Sequence, residues 1–266
     1  MIRRAGSVFV QVCLLLVFVA PSAWAAERYV ALGDSYSSGT GTRDYGLDEG
    51  CERSRYAYPA LVAAQRPRVK LVFAACAGAT ISDVLATQVS RLNRTTRWVT
   101  ITIGGNDVGF TRVISTCAQP DSSARCRSAI DRARSVIRDR LPAKLDTIYR
   151  KIRARAPDAT VIVLGYPRLF TRENCDTRTS FSRATLSAVN QTAVLLSHTI
   201  RDRVTSAGGN VRFRDAARAF NGHEICARSP WLNGLISPIG DSYHPNRSGQ
   251  RHGYTPLVLR AMTATA

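Results

Sequence analysis

Tyr29-Val30-Ala31-Leu32-Gly33-Asp34-Ser35 begins as an apolar run and stops abruptly at residues that favour a turn. Such a run is typical of a buried strand in an α/β sheet. Gly33 allows a sharp turn because it has no Cβ, and Asp34 can cap a helix that follows. Ser35 would then lie at the carboxyl end of the strand, where ligands of open α/β sheets bind. The stretch predicts either an ordinary capped turn or a serine nucleophile beside the N–H groups of a helix N-terminus.

Outward from that strand, the chain predicts an alternation of strands and helices. Apolar runs predict four more strands at residues 69–75, 98–103, 160–164 and 211–215, and the last has few apolar residues, which favours a sheet edge. Periodicity and capping residues predict helices at 58–65, from a Ser82-Asp83 cap to about 93, at 130–152, at 186–204 and at the C-terminus. Pro142 predicts two helices or a kink within 130–152. This order indicates one α/β domain, with a parallel sheet of about five strands and helices on both faces.

Three further residues could join Ser35 in one site. Gly78 follows the second predicted strand, Asn106 follows the third within Gly104-Gly105-Asn106-Asp107, and His244 begins the last segment of the chain. The ends of parallel strands joined by right-handed crossovers meet at one edge of a sheet. As an alternative, Gly78 is an ordinary turn glycine and Asn106 part of a capping turn. In the functional interpretation, the Gly78 N–H and the Asn106 amide donate to an oxyanion.

Histidine is the side chain suited to take the proton of a serine near neutral pH. The chain has four histidines. His198 falls in a helical stripe and His252 in the last helix, so neither is expected in a site. His223 lies in a loop and is the one serious rival of His244. Asp241, three residues before His244, could orient the imidazole of that residue.

Together these blocks resemble the SGNH hydrolases, the GDSL-type lipases and esterases. Gly33-Asp34-Ser35 matches the nucleophile block, Gly78 the second block, Gly104-Gly105-Asn106-Asp107 the third and Asp241-Ser242-Tyr243-His244 the Asp-x-x-His block. The blocks occur in the right order over nearly the whole mature chain, which most resembles the secreted actinobacterial lipases and phospholipases. The common α/β-hydrolases match less well, because Ser37 stands where their Gly-x-Ser-x-Gly elbow has its second glycine.

The resemblance implies a three-layer α/β/α flavodoxin-like fold and a set of roles. Ser35 is expected as the nucleophile and His244 as the base, with the Ser35 N–H, the Gly78 N–H and the Asn106 amide forming the oxyanion hole. Asp241 stands in the usual place of the third triad member, and we expect it to orient His244. In some secreted members a main-chain carbonyl takes that place, and here the candidate is the carbonyl of Ser242.

The expected activity is hydrolysis of carboxylic esters of lipids through an acyl-enzyme on Ser35. The alternative is a carbohydrate acetylesterase acting on polysaccharide, which the blocks do not distinguish because it uses the same residues. A non-catalytic protein that binds membranes or nucleic acid through a basic surface is disfavoured by the intact set of blocks. No metal or organic cofactor is implied.

The N-terminus predicts a secretory signal peptide at residues 1–25. Arg3 and Arg4 precede an apolar run at 8–20 that is too short for a membrane span, and Ala23-Trp24-Ala25 offers a cleavage site. We therefore expect a secreted, extracellular protein whose hydrolase domain is residues 26–266.

Cysteine usage agrees with export. Cys13 leaves with the signal peptide and six cysteines remain, which predicts disulfides, because no Cys-x-x-Cys pair or His-Glu-x-x-His motif indicates a metal site. Neighbouring cysteines each bracket a loop and about one element. We therefore expect the pairs Cys51–Cys76, Cys117–Cys126 and Cys175–Cys226.

The formal net charge is +18, from 37 basic and 19 acidic residues. Nearly all the basic residues are arginines spread along the chain, and no nucleic-acid motif accompanies them, so we expect no nucleic-acid partner. We expect a monomer that binds a lipid or other ester substrate and makes transient contact with anionic membrane surfaces.

Overall fold

A computed structural model describes Ile2 and residues 26–263 of the chain. Apart from Ile2, the predicted signal peptide, with Cys13, lies outside the described residues. None of the helices described is both long enough and apolar enough to cross a membrane.

Within residues 26–263, five parallel strands form one sheet in the order β2-β1-β3-β4-β5. The strands are β1 (Glu27–Gly33), β2 (Val69–Phe73), β3 (Thr96–Thr102), β4 (Thr160–Leu164) and β5 (Val211–Arg214). Strand β4 is buried along its whole length, whereas β5 at the edge is only partly buried. The sequence of a strand that is covered on both faces is a nearly continuous apolar run. The inner strands could therefore be predicted from the sequence.

Helices cover both faces of the sheet. They are α1 (Ser35–Ser38), α2 (Tyr58–Gln65), α3 (Ile81–Asp83), α4 (Phe110–Cys117), α5 (Ser123–Asp139), α6 (Leu141–Arg155), α7 (Arg183–Ala207), α8 (Ala216–Ala219) and α9 (Thr255–Thr263). Helices α5, α6 and α7 contact one another in one layer, and α2 contacts α9 in the other. The expected three-layer α/β/α fold is confirmed.

Pro142 separates two helices, as its position predicts. Helix α5 ends at Asp139, and Pro142 lies in the first turn of α6. At that position the missing N–H of proline costs nothing, because the first N–H groups of a helix have no partner within the helix.

The helix expected from Ser82-Asp83 to about residue 93 differs from its prediction. Its N-cap is Thr80, which accepts a hydrogen bond from the Asp83 N–H while the Asp83 carboxylate accepts one from the Thr80 N–H. After α3 the chain continues as a π-helix, Val84–Gln88, and a 3₁₀ turn, Val89–Arg91. The reciprocal capping box moves the helix start upstream of the predicted cap.

The turn after β1 requires glycine. Gly33 has φ +126°, and a Cβ there would lie 2.5 Å from the Thr102 carbonyl oxygen in β3. Asp34 then caps α1 by accepting a hydrogen bond of 3.1 Å from the Tyr36 N–H. Gly33 and Asp34 therefore end strand β1 and start helix α1, which places Ser35 at the carboxyl edge of the sheet.

Three disulfides join the described residues in the expected order. Cys51 pairs with Cys76, Cys117 with Cys126, and Cys175 with Cys226. The first ties the loop after α1 to the segment after β2, and the second joins the end of α4 to α5. The third joins the segment that follows β4 to the irregular region that precedes His244.

Candidate active site

Ser35 and His244 meet at the carboxyl edge of the sheet although 209 residues separate them. The Ser35 Oγ lies 2.9 Å from the His244 Nε2. The Nδ1 of the same ring lies 3.0 Å from the Ser242 carbonyl oxygen. A carbonyl oxygen only accepts, so Nδ1 carries the proton and Nε2 is free to accept the Ser35 hydroxyl. This arrangement can activate a serine nucleophile.

The structure differs from the expectation that Asp241 orients His244. The Asp241 carboxylate is buried and accepts hydrogen bonds from the Tyr45 hydroxyl and, at 3.3 Å, from the Gly41 N–H. No hydrogen bond joins it to His244 among the residues described. Asp241 is the last residue of the 3₁₀ turn Ile239–Asp241. After this turn the Asp241 carboxylate points to the 41–45 loop, and the carbonyl of Ser242 points to the imidazole. The alternative drawn from the sequence, the Ser242 carbonyl, is the one found.

Burial sets the protonation state of His244. It lowers the pKa of the imidazole from its usual 6.5 to about 4, while the Ser242 carbonyl and the charge of Asp241 oppose that change. The loss of hydration penalises the charged form, and one neutral carbonyl does not compensate for it. His244 is therefore neutral, and able to act as a base, over the whole range above that pKa.

Of the residues predicted to bind an oxyanion, Ser35 and Asn106 share one cleft. Asn106 lines the same cleft as Ser35 and His244, and its side-chain N–H donates to the Ala79 carbonyl at 3.1 Å. The amide has a second N–H available. Gly78, next to Ala79, has φ +76°, and a Cβ there would meet nothing within 4 Å. Among the described residues, the Ser35 and Gly78 N–H groups have no acceptor. Ser35 and Asn106 line the cleft, so their donors can reach a ligand there.

Tyr166 is a site residue that sequence reasoning missed. Its hydroxyl donates to the buried Asp34 carboxylate and accepts from the Gly105 N–H at 3.2 Å. It thereby joins the turn that holds Ser35 to the turn that holds Asn106. Its place in Gly165-Tyr166-Pro167, directly after β4, was the available signal, because it puts Tyr166 at the same sheet edge.

Asp34 has a second function besides capping α1. It also accepts a hydrogen bond of 2.7 Å from the Thr102 hydroxyl. Burial raises its pKa to about 6, although the hydrogen bonds from Tyr166 and Thr102 favour the charged form. The carboxylate is thus the centre of a buried network beneath Ser35.

Gln88 supports the turn that precedes Ser35, and no pattern in the sequence indicated this. Its amide accepts from the Gly33 N–H at 2.8 Å and donates to the Gly33 carbonyl at 2.9 Å. Because Gln88 is buried in the π-helix, both main-chain groups of Gly33 are satisfied without water. Only the three-dimensional fold brings residue 88 against residue 33.

A cleft of about 290 Å³ opens beside Ser35, Asn106 and His244. Most of its other walls are apolar, and they include side chains from the helices α4 and α7 and from the loop before His244: Phe110, Ile114, Leu196, Leu235, Ile239 and Tyr243. Such a cleft suits an apolar ligand whose reactive group faces the three polar residues.

The other candidates of the sequence lie elsewhere. The His223 ring stacks on Trp231 with centroids 3.7 Å apart, and its Nδ1 contacts the Ser229 carbonyl, so it is not the partner of Ser35. Over the described ranges, no cluster of three or more His, Cys, Asp or Glu residues could hold a metal ion.

The chain matches one protein family over most of its length. Residues 31–252 match the GDSL-like Lipase/Acylhydrolase family. A lipase of Streptomyces rimosus is 42% identical over 253 residues, which are 93% of this chain and 93% of that protein.

Two solved structures are similar in fold and in sequence. An extracellular lipase from Streptomyces rimosus has a TM-score of 0.84 and 41% identity, over 89% of this chain and 100% of that one. A phospholipase A1 from Streptomyces albidoflavus has a TM-score of 0.83 and 42% identity, also over 89% of this chain and 100% of that one.

Proposed function

The chain belongs to the GDSL-like lipase/acylhydrolase family, and from that membership and the site geometry we propose that it hydrolyses carboxylic esters of lipids at Ser35. The observation that carries the proposal is the 2.9 Å contact between the Ser35 Oγ and the His244 Nε2, beside an apolar cleft. Its relatives include proteins named lipase and phospholipase A1, which supports a lipid substrate.

In the proposed mechanism, His244 Nε2 removes the hydroxyl proton as the Ser35 Oγ bonds to the ester carbonyl carbon. The oxygen of the tetrahedral intermediate carries the negative charge, and the Ser35 N–H, the Gly78 N–H and the Asn106 amide donate to it. The C–O bond to the alcohol breaks, and the imidazolium returns the proton to the leaving oxygen. Water then attacks the acyl-enzyme by the same steps, with His244 again taking the proton, and the acid leaves.

The carbohydrate acetylesterase is the weaker candidate. An acetyl group would leave most of the 290 Å³ cleft unfilled, whereas a longer acyl chain has apolar walls to contact. We therefore propose medium or long acyl esters as substrates.

We further propose that residues 1–25 are a secretory signal peptide and that residues 26–266 are the secreted hydrolase domain. The basic, then apolar N-terminal sequence supports this, as do three disulfides among the described residues and an extracellular relative.

We also propose a monomer that makes transient contact with anionic membranes. The proposed catalytic residues come from one chain, which supports a monomer, and the net charge of +18 supports the membrane contact.

Ser35→Ala tests the proposed reaction. We expect a folded protein with less than about a thousandth of the wild-type turnover, because the nucleophile is lost while the rest of the site remains. The assay is a panel of nitrophenyl octanoate, phosphatidylcholine and acetylated xylan. Ser90→Ala, an exposed serine outside the cleft, is the control and should keep full activity. Retention of a tenth of the activity by Ser35→Ala, or wild-type activity confined to acetylated xylan, would contradict the proposal.

A further inference from the structure

The 235–240 loop, Leu-Ile-Ser-Pro-Ile-Gly, presents an apolar surface at the mouth of the cleft. Leu235 and Ile236 are half-buried, and residues 237–240 are exposed. Both Leu235 and Ile239 line the cleft. Ile239 lines the cleft and also forms part of the outer surface of the protein, because 71% of its area is exposed.

The exposure of Ile239 is unusual in this molecule. Among the residues that the structure describes, the exposed large hydrophobic side chains are Ile2, Leu47 and Ile239, and only Ile239 lines the cleft. A single exposed apolar residue needs no explanation. Here, however, it continues an apolar cleft outward through Pro238 and Leu235, so the apolar surface reaches from Ser35 to the outside of the protein.

Hydrogen bonds hold the loop in place. The Ser242 hydroxyl accepts from the Ile236 N–H at 3.0 Å and donates to the Ile236 carbonyl at 3.1 Å. The Asp241 and Ser242 N–H groups donate to the Pro238 and Ile239 carbonyls. The apolar tip is thus fixed in its exposed position, and docking it against a surface orders little additional chain.

Arginines contact the loop from two other segments. The Arg43 guanidinium donates to the Ser237 carbonyl at 3.1 Å, and the Arg178 guanidinium donates to the Leu235 carbonyl. Arg178 also pairs with Asp176 at 2.7 Å, so its charge is compensated locally. Arg43 is exposed and has no carboxylate partner among the described residues. A positive charge therefore lies beside the apolar tip, in a protein whose net charge is +18.

We propose that the 235–240 loop docks the protein on an anionic phospholipid surface, with Ile239 inserted among the acyl chains and Arg43 facing the headgroup phosphates. The proposal rests on the proposed function, because docking at the cleft mouth serves an enzyme whose substrate is in that surface. An apolar side chain flanked by a cation is the arrangement that suits the boundary between acyl chains and anionic headgroups.

Docking there also places the surface next to the catalytic histidine. The Ser242 hydroxyl bonds to the loop, and the Ser242 carbonyl accepts a hydrogen bond from the His244 ring. An ester that leaves the lipid surface past Leu235 and Ile239 would enter the same cleft that Ser35 and His244 line. Its acyl chain would contact the apolar walls, and its carbonyl would face Ser35.

The test is a binding measurement on Ser35→Ala protein, with vesicles of phosphatidylcholine alone or mixed with phosphatidylglycerol. We expect Ile239→Ser to lower the partition coefficient about tenfold on both vesicles, since it removes the aliphatic side chain that docking would bury among the acyl chains. Arg43→Asn should lower it about fivefold, only on the mixed vesicles and only at low salt. Asparagine suits this position because Arg43 has φ +61°.

Three further variants make the test specific. Ile239→Leu should bind like the parent. Arg155→Asn removes another exposed charge, at the end of α6 where the chain leads into the amino end of β4, and should change binding less than about twofold. In Ile239→Trp, the fluorescence emission of the added tryptophan should shift to shorter wavelength when vesicles are present. Circular dichroism confirms the fold of each protein.

Unchanged binding by folded Ile239→Ser, or an equal loss in Arg155→Asn and Arg43→Asn, would overturn the docking surface. Neither outcome depends on turnover, because the parent lacks the nucleophile. Activity that survives Ser35→Ala would instead overturn the proposed function and leave the binding comparison valid, so the two failures can be told apart.

Discussion

At the scale of single residues, the imidazole of His244 is oriented by a neutral main-chain oxygen and influenced by a carboxylate that makes no hydrogen bond to it. The Ser242 carbonyl fixes the tautomer at a distance of 3.0 Å, and the Asp241 charge raises the pKa of His244 from outside hydrogen-bonding range. A carbonyl survives any side-chain substitution. Orientation and electrostatic support can therefore be separated here, which is not possible where one aspartate supplies both.

Asp241→Asn tests this separation. We expect kcat to fall by less than about tenfold, because the Ser242 carbonyl still orients the ring, whereas loss of an orienting triad aspartate costs about 10⁴. The acid limb of kcat/KM, which reports the neutral imidazole of the free enzyme, should lie near pH 4 in the wild type. In the variant it should move to lower pH, because the charge that raised the pKa is gone.

The measurement is the pH dependence of kcat/KM on a soluble nitrophenyl ester, over the acidic range in which both proteins remain folded. Activity is lost as the pH falls through the folded-state pKa, because protonated His244 cannot accept the Ser35 proton. A loss near 10⁴ in the variant would restore Asp241 as the orienting residue. A wild-type limb at or above pH 6.5 would contradict the lowering of the His244 pKa by burial.

At the scale of elements, the junction between β1 and α1 determines where Ser35, the proposed nucleophile, lies. Gly33 turns the chain with φ +126°, close to the main chain of β3. The Gln88 amide makes hydrogen bonds to the N–H and the carbonyl of Gly33, and Asp34 caps helix α1. The neighbour of an added Cβ is the Thr102 carbonyl oxygen, which belongs to the central sheet. Main chain in a sheet cannot move aside as a flexible side chain can.

Gly33→Ala should therefore destabilise the protein by at least about 3 kcal/mol, through backbone strain and overpacking together. Gly109→Ala is the matched control: φ there is +69°, but an added Cβ meets nothing within 4 Å. Left-handed strain alone should cost it about 1–2 kcal/mol. Urea unfolding of the two variants gives the comparison. Equal losses would show that contact with β3 contributes nothing.

At the scale of the whole molecule, three disulfides close loops of very different length. The sequence separations are 51 for Cys175–Cys226, 25 for Cys51–Cys76 and 9 for Cys117–Cys126. If the main effect is on the entropy of the unfolded chain, the contribution grows with the logarithm of the loop length. The bridge that closes the longest loop, Cys175–Cys226, then contributes most to the free energy of unfolding.

Replacing each pair with alanines should lower the free energy of unfolding by about 4, 3.5 and 2.5 kcal/mol, in the order of decreasing separation. Peptide mapping without reductant first establishes which pairs form. Thermal unfolding then ranks the three variants, and a Cys117→Ala/Cys126→Ala protein that is the least stable would contradict the entropic account for this fold.

Much of the architecture followed from local patterns. Strand β4 and helix α2 have the limits that the sequence predicts, because an apolar run bounded by turn residues and a helix ended near proline are local features. The start at Thr80 was not predicted, because two residues compete there as caps and the reciprocal bond with Asp83 decides between them.

The sequence alone determined the order of strands and helices and the residues that could share a site, because the ends of parallel strands meet at one edge whatever the details of packing. Only the tertiary structure decided which way the side chain of Asp241 points, that Tyr166 and Gln88 support the turn before Ser35, and that Ile239 remains exposed. Each of these depends on groups that are distant in sequence. The lowered pKa of His244 and the raised pKa of Asp34 have the same origin, because burial by the whole fold removes their water.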